Sequence, residues 1–314
     1  MKILIQANEE QRALIIKDIG YDEETMKAKK RIVKEWYKKQ PHLPKILEND
    51  ADNLIYSLLI GCKLRTEQAK MKLDSYFSYR NLLPAVYDIR DPTQEDVKQS
   101  LKHINYCTLP MMTPEGYRVD IWAYTPESTK CLTSRDYIAT YKVASFISDI
   151  RMAEEEFCGG DFIVLDMNYF HFSSIKDMPI AATQKFILSI QEALPLRVKG
   201  IFVINAPPFI ETLTTLLKPF LKEKAKQRLQ IFSGDHTCLY QYIPKEMLPK
   251  EYGGNALSLS ELSLAWQKAY EAQREWFLED SKNKTNEKLR PEGNAYKGYE
   301  MYGIDGSFNK LTID

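Results

Sequence analysis

Ser233, Asp235 and His236 lie within four residues of one another, and a hydroxyl, a carboxylate and an imidazole are the parts of a nucleophilic triad. Their adjacency argues against that use. A triad draws its side chains from separated elements that converge, whereas Ser233-Gly234-Asp235-His236 reads as a polar turn at a strand end. The other reactive residues are dispersed. Five cysteines (Cys62, Cys107, Cys131, Cys158, Cys238) form no C-x-x-C, and four histidines (His42, His103, His171, His236) form no H-E-x-x-H. That pattern fits reduced thiols and supplies no metal spacing. G-x-S-x-G, the Walker phosphate loop and G-x-G-x-x-G are also absent. Asn283-Lys284-Thr285 matches a glycosylation acceptor, with no secretory pattern at Met1–Glu10 to give it meaning. The expectation is a protein that is not an enzyme and holds no metal.

Charge beside an apolar helix carries more information. Between Arg197 and Arg228 stand seven basic residues (Arg197, Lys199, Lys218, Lys222, Lys224, Lys226, Arg228) and two acidic ones (Glu211, Glu223). This local excess of five sits in a 314-residue chain whose 43 basic and 43 acidic side chains cancel. Within the same stretch, Phe209, Ile210, Leu213, Leu216, Leu217, Phe220 and Leu221 recur at helical spacing and form one wide apolar face. Pro219 interrupts it, which predicts a break near Lys218. An apolar face beside cations suits an anionic bilayer, where each Lys or Arg near the surface contributes about 1 kcal/mol. Arg197 and Lys199 share one side of an extended stretch, and Lys224 and Arg228 share a helical face. Converging, the two pairs would offer charge-assisted hydrogen bonds to a polyphosphorylated headgroup.

The elements that must hold these residues fall into two textures. The first third reads as helices, with apolar stripes at Ile32, Val33, Trp36 and Tyr37, at Leu54, Ile55, Leu58 and Leu59, and at Ala69, Leu73, Tyr76 and Phe77. Beyond Tyr106–Pro114, Tyr117–Tyr124 alternates as a strand, and Ser134 can cap a helix bearing Val143, Phe146, Ile147 and Ile150. Phe162–Leu165 and Gly200–Ile204 are continuous apolar runs, as in strands covered on both faces, with Phe186, Ile187, Ile190 and Leu194 on a helix between them. Strand, helix, strand at this distance is a parallel crossover. The hydrophobic fraction of 44% is that of a soluble globular chain, no apolar run approaches a membrane span, and zero net charge argues against wholesale nucleic-acid binding.

Several stretches are similar, in order and spacing, to the CRAL-TRIO lipid-binding family, in the branch of α-tocopherol transfer protein and cellular retinaldehyde-binding protein. Trp36-Tyr-Lys-Lys-Gln-Pro-His-Leu-Pro44 and Gln68-Ala-Lys-Met-Lys-Leu-Asp74 resemble its small leading helical domain. Phe162-Ile-Val-Leu-Asp166, Leu196-Arg-Val-Lys-Gly-Ile201, Ile204-Asn205, Lys218-Pro-Phe-Leu221 and Leu248-Pro-Lys-Glu-Tyr-Gly-Gly254 resemble the lipid-binding domain itself. The tail, Lys284–Pro291 with Gly303–Phe308, resembles arthropod members. Three departures stand out. Ile55–Cys62 lacks the arginines usual in the helical domain, with Lys63 and Arg65 just beyond; Ala123 replaces a frequent arginine; Asn168-Tyr169 replaces an acidic-Gly pair.

The resemblance implies an α/β fold. An N-terminal helical domain (1–90) would precede a CRAL-TRIO domain (91–278) with a mostly parallel sheet, an apolar pocket and a helical gate running from Asn205 to near Arg228. A tail (279–314), with Gly293, Gly298, Gly303 and Gly306 between Tyr296, Tyr299, Tyr302 and Phe308, would pack on that domain. It implies a non-catalytic cytoplasmic carrier, transiently bound to membranes, with no cofactor beyond one non-covalently held lipid such as a retinoid, tocopherol or carotenoid. The expected wall is Val143, Ile147, Ile163, Leu165, Phe186, Ile190, Leu194 and Ile201, with Ile210, Leu213 and Leu217 from the gate. Ser145, Ser148, Ser189, Tyr141 or Tyr169 would supply polar contacts. Arg197, Lys199, Lys224, Lys226 and Arg228 fall on the family's phosphoinositide-recognising surface. The partners expected are thus a hydrophobic lipid and a phosphoinositide-containing membrane, with no nucleic acid. The rival reading is a lipid-loaded interaction module that regulates a signalling or trafficking partner.

Overall fold

A computed structural model of the chain describes residues 3–130 and 132–291. Cys131 and the tail from 292 onward, including Tyr296, Tyr299, Tyr302 and Phe308, lie outside the described residues.

Helices come first, and side chains cap the first two of them. α1 (Glu9–Ile19) begins on a capping box in which Asn8 and Gln11 each accept from the other's backbone N–H, and it ends at Gly20 with φ of 67°. α2 (Glu23–Lys38) is capped by Asp22 and stops before Pro41. The stripes of α3 (Glu48–Gly61) and α4 (Thr66–Leu82) bury Leu54, Ile55, Leu58, Leu59, Leu73 and Phe77 in a core shared with Ile15, Ile19 and Val33. α5 (Pro84–Tyr87) opens on proline, and α6 (Glu95–His103) leads into the sheet. Gly61 lets this bundle seat closely on the rest of the molecule. A Cβ there would stand 2.1 Å from the Pro195 carbonyl oxygen.

Five strands lie in sequence order: β1 (Ile104–Thr108), β2 (Tyr117–Tyr124), β3 (Gly160–Asp166), β4 (Val198–Ile204) and β5 (Leu229–Ile231). β1 is antiparallel to β2 and the others run parallel, in a register that aligns Ile121, Val164 and Phe202. The mostly parallel sheet agrees with the sequence expectation. β1 and β5 carry little signal: one is a mixed pentapeptide, the other three residues long. The crossovers are α7 (Ser134–Glu154), then α8 (Ser173–Lys176) with α9 (Ile180–Glu192), then α10 (Ile210–Leu217) with α11 (Glu223–Gln227). Thr133, not Ser134, caps α7. Thr133 is the extended residue, and its backbone N–H donates to Asp136 Oδ2 at 2.8 Å. α10 stops at Leu217 and a 3-10 turn over Lys218–Phe220 follows, the break that Pro219 predicts.

Strand alternation assigns the two faces of the sheet. Val119, Ile121, Val164, Phe202 and Ile204 enter one core with α12 (Leu259–Ala272), whose Trp266 Nε1 donates to the Thr108 carbonyl at 2.9 Å. Trp122, Leu165 and Val203 face the other way. α13 (Arg274–Asp280) and the segment behind it return to the helical bundle. There Asn81 Nδ2 donates to Thr285 Oγ1 at 2.7 Å and Arg290 grips Asp74 with two hydrogen bonds at 2.7 and 2.9 Å. Among the described residues, no helix is long and apolar enough to cross a membrane. The Ser233–His236 stretch is a turn, with Asp235 Oδ1 accepting from Thr237 N at 3.0 Å.

Candidate functional site

The second sheet face does not meet a packed layer. Between it, α7, α9 and α10 lies a cavity with an empty volume of about 1780 Å³ counted to its mouth. Most of its wall is aliphatic or aromatic. The Tyr141 and Phe186 rings stack at 4.3 Å between centroids, and Trp122 stands edge-on to both. α10 forms the cover, with Ile210, Leu213 and Leu217 turned inward and Glu211, Thr212 and Thr215 exposed. Its far end is fastened to α9, where Glu192 stands 3.7 Å from Lys222 Nζ and Gln191 makes two hydrogen bonds. Gln191 Nε2 donates to the Phe220 carbonyl at 2.9 Å, and Gln191 Oε1 accepts from Lys222 N at 2.7 Å.

Of the wall residues read from sequence, Ile163, Leu165, Phe186, Ile190, Leu194, Ile201, Ile210, Leu213 and Leu217 border this cavity. Val143 and Ile147 do not. They lie in the core shared with α12, beside Phe146 and Ile150. The physical reason is that α7 carries two apolar stripes of the same period. Tyr137, Tyr141, Ala144, Ser145 and Ser148 face the cavity and Val143, Phe146, Ile147 and Ile150 face away, so periodicity alone does not choose between them. Ser145, Ser148, Ser189 and Tyr141 also border the cavity, whereas Tyr169 is exposed at the surface.

Sequence reasoning passed over the buried charges behind this wall. Asp149 and Asp120, 6% and 4% exposed, both contribute to it. Asp149 is paired with Arg90, which also holds Asp280, and Asp280 in turn accepts from Arg80 at 3.1 Å. Asp120 accepts from Arg151 at 3.0 Å and from the Thr108 hydroxyl; burial nevertheless pushes its carboxyl above the usual range. These acids and arginines are scattered over five segments, so no spacing could have revealed them.

Outside the cavity, Arg197, Lys199 and Arg228 come together at the start of β4 and the approach to β5, joined by Lys63 from the helical bundle. Asp18 of α1 sits among them, with its oxygens 2.8 Å from Lys63 Nζ and 2.7 Å from Arg197 Nη1. The hydrogen bond from Lys63, with Arg197 beside it, holds the Asp18 carboxyl below the usual range. Burial first, and the crowd of cations second, lowers the pKa of Lys199, which stands 4.8 Å from the centre of the Tyr117 ring. Lys63 and Leu64 adopt left-handed φ of 53° and 57°, a conformation that costs roughly 1–2 kcal/mol per such residue and turns the chain back at the end of α3. Arg65 is spent locally, donating to the Cys62 carbonyl at 3.0 Å. Arg228 donates to the Val198 carbonyl and braces the fold. On α11, Lys224 is exposed and Lys226 is paired with Glu223 at 2.7 Å.

Comparison with known proteins matches residues 103–254 to the CRAL/TRIO domain and residues 22–97 to the Pinta-like UBA domain. The chain is similar to the alpha-tocopherol transfer protein-like protein of Homo sapiens, 27% identical over 227 residues covering 70% of this chain and 62% of that one. Its Mus musculus counterpart is 26% identical over 253 residues, 77% and 68% of the two chains. Clavesin-2 of Homo sapiens is 26% identical over 205 residues, 65% and 62%. The match to the two human relatives thus spans less than two thirds of their length. With a mostly parallel sheet and one sheet face left open beneath a broken helix, residues 103–254 form a CRAL/TRIO domain, set behind a helical bundle.

Proposed function

We propose that this protein is a non-catalytic carrier that holds one hydrophobic lipid in the cavity and delivers it to phosphoinositide-containing membranes. The observation that carries the reading is the cavity itself, apolar over most of its wall and covered by a short helix that ends at Leu217, just before Pro219. Burying roughly 400 Å² of apolar ligand at about 25 cal/mol/Å² favours retention by on the order of 10 kcal/mol before ordering costs. No covalent bond is needed for that. The names of the relatives, which include a transfer protein-like protein, point the same way.

Delivery follows from the surroundings of the cover. α10 opens by exposing Ile210, Leu213 and Leu217, which costs less where a bilayer receives them than in water. Phe172, 56% exposed, and Phe209, its ring 5.3 Å away, stand at the near end of α10 and give that edge an apolar foot. The cations of Lys63, Arg197, Lys199, Lys224 and Arg228 supply the attraction to anionic headgroups, with Asp18 holding the place of the anion in the free protein.

The test is native mass spectrometry of the protein from its own tissue, with extraction of what it carries, followed by transfer of that lipid between vesicles with and without phosphoinositide. One stoichiometric lipid, moved faster to the phosphoinositide vesicles, is the expected result. A lipid-free mass, with no lipid of a broad panel binding afterwards, overturns the carrier reading in favour of an interaction module.

A further inference from the structure

One end of the cavity, where it meets α4 and α5, is lined by Tyr76, Tyr87, Ser145, Ser148, Asp149 and Ser189. The protons of Tyr76 and the three serines there are already committed. Tyr76 donates to Asp149 Oδ1 at 2.8 Å, Ser145 to the Lys142 carbonyl at 2.7 Å, and Ser148 to the Ala144 carbonyl at 2.8 Å. Ser189 donates to the Phe186 carbonyl at 2.8 Å. The cations behind this end do not reach the wall. Arg90 spends its two terminal nitrogens on Asp149, Ser145 and Asp280, neither arginine borders the cavity, and the guanidinium carbons of Arg80 and Arg90 lie 4.4 to 5.7 Å from the centres of the Tyr76, Tyr87 and Phe277 rings. What Tyr76, the serines and Asp149 turn toward the empty space is oxygen lone pairs with no proton to offer, and one of the oxygen pairs belongs to a carboxylate.

Resting on the carrier reading, we propose that the cargo presents a neutral hydrogen-bond donor, a lipid hydroxyl, to Asp149 at this end, and that lipids ending in a carboxylate, or carrying no donor, are rejected. A hydroxyl would use the spare lone pair of an Asp149 oxygen and leave the arginine pair intact. A carboxylate would face the like charge of Asp149. A hydrocarbon or ether would cover the acceptors without satisfying them, which is the situation in which sites built to bond a hydroxyl discriminate most strongly. Asp149 is thereby assigned as a specificity-determining residue.

The experiment titrates the full chain with two matched sets: a linear C20 isoprenoid as alcohol, carboxylic acid and hydrocarbon, and a chromanol as free phenol and methyl ether. The alcohol and the phenol should bind at least about tenfold more tightly than their matched partners. In Asp149→Asn, which puts an amide N–H where an acceptor stood, that preference should shrink to within about threefold. The wild-type comparison decides the matter even where the variant does not fold. Equal affinity for the acid, the hydrocarbon or the ether overturns the donor requirement while leaving a carrier. Binding of none of the five overturns the carrier reading, and the donor requirement falls with it.

Discussion

Gln191 is where the rate of lipid release can be separated from the affinity of lipid binding. Its side chain makes two hydrogen bonds to the turn that ends the cover, at 2.9 Å to the Phe220 carbonyl and 2.7 Å from Lys222 N. Gln191→Met keeps the length and removes both. A net hydrogen bond is worth about 0.5–1.5 kcal/mol, and the freed groups lie near solvent, so opening the cover should become easier by about 2 kcal/mol. Because 1.4 kcal/mol is a factor of ten, dissociation of a bound fluorescent lipid into excess acceptor vesicles should speed up about 30-fold. The assay is stopped-flow release from the preformed complex, beside urea unfolding of the lipid-free protein. Release within twofold of wild type, with the full 2 kcal/mol lost from global stability, would refute the reasoning. It would show that these bonds serve the whole fold and that α10 does not open at this end.

Three further outcomes follow from the same geometry. Lys199→Ala with Lys224→Ala removes two cations and should weaken partition onto phosphoinositide vesicles by about 2 kcal/mol, roughly 30-fold, in low salt, with soluble lipid affinity unchanged. Arg228→Ala is a poorer probe because Arg228 also bonds the Val198 carbonyl; equal loss of lipid affinity in the lysine pair would contradict the division of roles. Asp280→Ala leaves Arg80 and Arg90 short of their shared carboxylate and should cost about 3–5 kcal/mol in denaturant unfolding. Burial pushes the Tyr37 phenol up to about 12 and raises Tyr76, Tyr106, Tyr124 and Tyr252 as well. The unfolded chain then loses these protons first, near pH 10, so stability is intact below about pH 10 and falls as pH climbs toward 12. Tyrosinate absorbance rising while the folded circular dichroism persists would count against this.

Much of the cavity was legible because the strands that line it are apolar runs with a helix between them. Ile163, Leu165, Ile201 and the inward residues of α10 follow from period and position. Val143 and Ile147 show where that logic ends, since α7 is apolar on two sides and its one-dimensional pattern holds no label for which side faces empty space. The basic cluster divides in the same way. Arg197, Lys199 and Arg228 could be read from local charge excess. Lys63 joins them only because the left-handed turn at Lys63 and Leu64 points it at Asp18, 45 residues away in the chain.

The sequence by itself determined the elements: capped helices in front, buried parallel strands behind, and a helix broken by Pro219 beside an excess of cations. Those features arise from neighbours within a few residues, where period, capping and proline geometry act. Only the tertiary structure decided the polar end of the cavity. There Tyr76 of α4, Tyr87 of α5, Arg90, Asp149 of α7 and Asp280 of α13 meet. Buried charges must be paired wherever a partner can reach them, and that reach runs through space between distant segments, as in the buried Arg80–Asp280 pair, 200 residues apart in the chain.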